Sequence, residues 1–100
     1  MDFLGSVLVV DDNQDLLEGL AQTLEEEGYQ ALTAANGVEA LAVLESQRVD
    51  LVLADIAMPG MNGYELYERM RENRQWTTIP FVFLTARALN SDIRYGKGLG

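Results

Sequence analysis

Three short apolar runs punctuate the chain at positions 7–10, 51–54 and 81–84, each rich in Val, Leu or Phe and each bounded by polar or turn-forming residues. Apolar runs of this length, with no polar residue alternating, predict strands buried on both faces, as in a parallel sheet. A weaker strand is predicted at 29–33. Between the strands the period changes: Leu16, Leu17, Leu20, Ala21 and Leu24 recur on one face of a helix, and Gly28 follows as its stop. The segment "NGVEALAVLE" opens with Asn36 and Glu39 at capping-box spacing, and "NGYELYERM" repeats the device with Asn62 and Glu65. Two further helices are therefore predicted to start at those asparagines. A last helix is predicted from about residue 90 to 96, where the glycines at 96, 98 and 100 blur its end.

The order is thus β-α-β-α-β-α-β-α with short connections, no internal repeat and no low-complexity linker. Alternation of this kind predicts an α/β fold, a doubly wound and mostly parallel sheet with right-handed crossovers and helices on both faces. At 100 residues, one domain spanning 1–100 is expected. In such sheets the ligand site lies beyond the carboxyl ends of the strands, where strand order reverses.

Composition narrows the function. Hydrophobic residues make up 48% of the chain, but no window is long enough to cross a bilayer, so a folded core is expected to take them and no membrane role is predicted. The start, "MDFLGSVLVVDD", has no basic flank and meets two acids after a short apolar run, which reads as a first strand rather than a secretory signal. Absence of cysteine is compatible with a cytoplasmic location and removes thiolate metal sites. Absence of histidine removes the usual general base. Sixteen acids against seven bases give a net charge of -9, the wrong sign for direct nucleic acid binding. That charge favours a cation wherever carboxylates converge, although most of the glutamates, Glu25, Glu26 and Glu27 among them, read as solvated surface.

Convergence is expected at one sheet edge. Asp11 and Asp12 follow the first strand, and Asp55 follows the third in "DLVLADIAMPGMNGYE". Neighbouring strands, roughly 4.8 Å apart, would gather these acids into one cluster. Such a cluster repels itself unless a cation is present, and Mg²⁺ suits oxygen ligands while typically keeping room for phosphate oxygens. Thr85, after the fourth strand in "FLTAR", brings a hydroxyl to the same edge, where it can hydrogen-bond a phosphoryl oxygen. A carboxylate can itself be the nucleophile that forms an aspartyl phosphate. Taken singly, paired acids after a strand are ordinary loop residues and a threonine ending a strand is an ordinary cap. Together, at corresponding strand ends, they are a specific signal.

With these residues in place, the chain resembles the receiver domain of two-component response regulators from Val7 through Gly100. "VLVVDDN" resembles the family's acidic pair, "DIAMPGMNG" its phosphoacceptor strand end and turn, and "IPFVFLTAR" its threonine strand. The resemblance implies a flavodoxin-like receiver fold with strand order 2-1-3-4, and a signalling switch rather than an enzyme acting on other substrates. It implies that Asp55 accepts a phosphoryl group from the phosphohistidine of a sensor histidine kinase or phosphotransfer protein. Asp12 would bind Mg²⁺ directly, Asp11 mainly through water, and Asp55 and the backbone carbonyl of Ala57 would add ligands. Thr85 would hydrogen-bond the phosphoryl group and move on activation, while Ala57 and Arg87 would influence its lifetime. Pro59 and Gly63 would shape the turn before the third helix.

The chain also departs from the family pattern. The fifth strand, its lysine and the fifth helix are expected to lie beyond Gly100; Lys97 is not that lysine, and Tyr95 is not the family's aromatic switch residue. A fourth strand left at an open edge invites a homodimer or a swapped assembly, and lost cover exposes apolar surface. Light scattering decides whether such an assembly forms. Two other functions compete with the switch. One is a non-phosphorylated interaction or dimerisation module derived from a receiver domain. The other is a phosphatase of the haloacid dehalogenase type, which needs a second acid two residues after the nucleophile, where this chain has Ala57.

Overall fold

The structure is a computed structural model, and it describes residues 3–58 and 60–84. Four parallel strands, β1 (Ser6–Val10), β2 (Gln30–Ala34), β3 (Leu51–Asp55) and β4 (Phe81–Leu84), form one sheet in the order β2-β1-β3-β4. Helices α1 (Gln14–Glu26), α2 (Gly37–Ser46) and α3 (Gly63–Glu72) alternate with them. The predicted strand order and doubly wound class are both observed. Boundaries shift by a residue or so, because ladder hydrogen bonds extend past the apolar run: β3 includes Asp55, which pairs with Leu84.

Strand parity sorts the core into two layers. Val7 and Val9 face α1, meeting Leu17, Leu20 and Leu24, with Leu51 and Leu53 beside them. Leu8, Val10, Val52 and Ala54 face the other way, onto Ala40 and Leu44 of α2 and Leu66 and Met70 of α3. Leu8, Val9 and Val10 are wholly inaccessible, each contributing roughly 1.5–3 kcal/mol of burial energy. Among the described residues, Val82 is exposed, and Leu51 and Leu53 are half-buried.

Caps fix where each helix begins and ends. Asn62 Oδ1 accepts from the Glu65 backbone amide while the Glu65 carboxylate accepts from the Asn62 amide, both at 2.9 Å, which completes the predicted box. At α2 the Asn36 half is present, but the Glu39 carboxylate reaches one residue further back, to the Ala35 amide. Gly28, at φ 100°, ends α1 as predicted: its amide donates to Glu25 and that of Tyr29 to Leu24, the pair of bonds that defines a Schellman stop. Asn62→Ala is expected to cost about 1 kcal/mol, read as a lower denaturant midpoint at unchanged slope.

Two features had no periodic signal. Asn13 caps α1, its Oδ1 accepting from the Leu16 amide at 3.1 Å. Trp76, in the turns between α3 and β4, is buried and joins the core on the α2 and α3 side.

Candidate functional site

Strand order reverses between β1 and β3, so their carboxyl ends open the crevice in which a ligand is expected. Val10 and Ala54 are register partners. Asp11 and Asp55, one residue on in each chain segment, therefore stand level, and Asp12 follows. Oxygens of Asp11, Asp12 and Asp55 all lie within 4.8 Å of one another.

The three carboxylates occupy different surroundings. Asp11 is only 2% exposed, held in the ladder by its amide, which donates to the Ala34 carbonyl at 3.1 Å. Its Oδ1 accepts from the Asn13 amide at 2.8 Å, so the residue that caps α1 also anchors the buried acid. Asp12 is exposed. Asp55 is half-buried, and its Oδ1 accepts from the Ala57 amide at 3.3 Å, which orients the carboxylate; among the described residues its second oxygen accepts no hydrogen bond. Among the described residues, none of the three is paired with a basic side chain; the salt bridge there joins Arg48 to Asp50. Thr85, which was expected to complete this edge, lies outside the described residues, as do Pro59, Arg87, Tyr95 and Lys97.

Burial pushes the Asp11 carboxyl above its ordinary range; the Asn13 hydrogen bond opposes this, and the charges of Asp55 and Asp12 reinforce it. Because the folded value exceeds the unfolded one, this group's contribution to stability is complete below the ordinary carboxylate range and is lost as pH rises through the folded value. Without metal, ionisation of Asp11 therefore opposes folding. Asp11→Asn retains an oxygen for the Asn13 amide and removes the charge. It is expected to raise the melting temperature in a chelator at pH 7 by several degrees, about 1 kcal/mol, and the gain should shrink toward pH 4. An equal gain at both pH values would show that ionisation of Asp11 is not the cause.

Only hard oxygen donors converge here, a set that fits a hard divalent cation and not a soft one. The acids cluster without a basic partner among the described residues, and one of them is held where ionisation is costly. Such an arrangement can bind a cation and leave one carboxylate oxygen as a nucleophile.

Known proteins are similar to this chain in sequence and fold. The family model described as the response regulator receiver domain matches residues 7–100. The response regulator SaeR of Staphylococcus aureus (strain USA300) is 39% identical over 94 residues, covering 94% of this chain and 40% of SaeR. The chain thus spans 40% of the length of the curated relatives it matches. Chemotaxis protein CheY4 of Vibrio cholerae superposes with a TM-score of 0.80 at 34% identity, covering 96% of this chain and 80% of that one. The receiver domain of sensor histidine kinase PA1611 from Pseudomonas aeruginosa, solved with a magnesium ion coordinated in its active site cleft, superposes with a TM-score of 0.78. It is 30% identical, over 90% of this chain and 74% of that one.

Proposed function

This chain belongs to the response regulator receiver family of two-component signalling, and from that premise we propose that Asp55 is its phosphoacceptor. The observation that carries this reading is the convergence of Asp11, Asp12 and Asp55 at the reversal point of the sheet. Asp55 attacks phosphorus through the oxygen not engaged by the Ala57 amide. A bond forms between that oxygen and phosphorus as the bond from phosphorus to the donor breaks. In transfer from a partner kinase or phosphotransfer protein the leaving group is a histidine imidazole, which takes the electron pair; this chain has no histidine of its own.

Mg²⁺ is the cation that fits. Asp11, Asp12, Asp55 and the carbonyl of Ala57 are the residues that would hold it, and when bound it neutralises the carboxylates and the phosphoryl oxygens. Asp11 supplies a buried charge anchored by Asn13, and Asp12 supplies an exposed one at the mouth of the crevice. The Ala57 amide keeps Asp55 aimed. The hydroxyl of Thr85 is assigned to a phosphoryl oxygen. The resulting change in charge shifts a balance between two states and so alters a surface read by an output partner or domain.

Intact mass after incubation with an acyl phosphate tests the reading. A gain of one phosphoryl group with Mg²⁺, and none in a chelator, is expected. Equal gain in both would separate phosphorylation from the acid cluster, and no gain in either would leave an interaction module in its place. Melting curves provide a check that requires no phosphoryl donor. Mg²⁺ stabilises the protein by binding its folded form, and Asp11→Asn is expected to lose most of that increment.

A further inference from the structure

The loop that follows Asp55 is pinned from an unexpected side. Gly37 is the first residue of α2, and a β-carbon built on it would stand 2.6 Å from Met61 Sδ, 2.8 Å from its Cγ and 2.8 Å from its Cβ. A thioether end can swing aside, but Met61 Cβ is fixed to the backbone, so relief requires the loop itself to move. The helix is held as well, since Ala40 and Leu44, further along α2, are buried in the core. Its start is locked by Asn36 Oδ1 on the Glu39 amide and by the Glu39 carboxylate on the Ala35 amide, at 2.8 and 2.9 Å. Met61, half-buried, immediately precedes the Asn62 cap of α3, and it packs against the core on the α2 and α3 side.

We propose that the bare α-carbon of Gly37 is the seat that sets the position of Met61, and thereby positions the 55–63 loop that carries Ala57 behind Asp55. Gly37 is a positioning residue: it touches no reacting atom and acts through Met61. Among the described residues the loop is also held by the Ile56 amide, which donates to the Leu84 carbonyl at 3.2 Å, by Met58, buried in the core, and by the Gly63 amide, which donates to the Ile56 carbonyl at 2.9 Å. Ile56 and Gly63 are thus the fixed ends of the loop, and displacing Met61 strains the stretch between them, on which Ala57, Met58 and Gly60 lie. The consequence for phosphorylation rests on the assignment of Asp55 above, whereas the seating itself does not.

The test is a double-mutant cycle of Gly37→Ala and Met61→Gly in the whole chain. It is read by the amide chemical shifts of Ala57, Gly60 and Gly63, by Mg²⁺ titration and by the rate of phosphoryl gain from an acyl phosphate. Gly37→Ala is expected to shift the loop amides and to lower Mg²⁺ affinity and rate by about tenfold. In the Met61→Gly background, where the colliding atoms are gone, the same substitution should change none of these readouts by more than about twofold. If Gly37→Ala alone fails to fold, folding of the double variant supports the seat, and failure of both overturns it. Unchanged loop amides in Gly37→Ala, or equal effects in both backgrounds, also overturn it. Should the unsubstituted chain bind no Mg²⁺ and take no phosphate, the Asp55 assignment fails while the amide shifts still decide the seat.

Discussion

Asp55→Asn is expected to abolish the Mg²⁺-dependent gain of a phosphoryl group, reducing the rate to that of a chelated control. The substitution is close to isosteric, and the amide oxygen of asparagine can still accept from Ala57, whose bond to Asp55 Oδ1 is 3.3 Å. The strand is held by pairing of residue 55 with Leu84, a backbone relation that no side chain disturbs. What disappears is the anionic oxygen that would bond to phosphorus, because a neutral amide is a poor nucleophile. Removing one of three clustered negative charges also relieves repulsion, so the variant should melt no lower than the parent in chelator. The combination is diagnostic: an intact fold with no phosphoryl gain assigns the chemistry to the side chain at 55. Full phosphoryl gain in the variant would move the acceptor to Asp11 or Asp12, with peptide mapping to choose between them.

The features of this site that can be read from the sequence are those encoded by local chemistry. A four-residue apolar run leaves little choice but a buried strand, and an acid directly after it must then stand at the strand end. Alternation of strands and helices places such ends at one edge, so Asp11, Asp12 and Asp55 were expected together and are found within 4.8 Å. Asn62 with Glu65, and Gly28, likewise declare themselves because capping depends on a few adjacent residues.

Contacts made across the fold leave no such local trace. That Asp11 is buried and Asp12 exposed depends on the Ala34 carbonyl, which extends the ladder by one residue. Adjacent aspartates look alike until that bond exists. Asn13 is the exception, since its contacts are local: it joins the cap of α1 to the site through the Leu16 amide and the Asp11 carboxylate, but it stands outside the apolar period that marks the helix. Trp76 lies in "NRQWTTIP", a stretch with no repeat, and only the packing of α2 and α3 shows that it fills the core. Gly37 reads as a residue next to a helix cap until Met61 is seen against it.

Gly63→Ala is expected to be the most damaging single-methyl addition among the described glycines. Its new β-carbon would stand 2.5 Å from the Asp55 carbonyl oxygen, 3.0 Å from Ile56 Cα and 3.1 Å from the Asp55 carbonyl carbon. All three are backbone atoms, so no side chain can rotate away. Backbone strain is not the issue, since Gly63 is not among the glycines with positive φ; the cost is purely one of space. Neither side yields easily: Gly63 opens α3 next to the Asn62 and Glu65 box, and Asp55 ends a strand paired on both flanks of β3. Such overpacking costs about 3 kcal/mol, which for a domain of this size lowers the melting temperature by roughly 10–20 °C. Gly19→Ala is the matched control. Gly19 lies in α1 with nothing within 4 Å of the position its β-carbon would take, and there the added methyl should stabilise by roughly 0.5–1 kcal/mol. Opposite signs for the same chemical change would locate the cost in the approach of α3 to β3. A melting temperature unchanged by Gly63→Ala would mean that the two elements can separate freely, and with them the geometry that holds Asp55 in place.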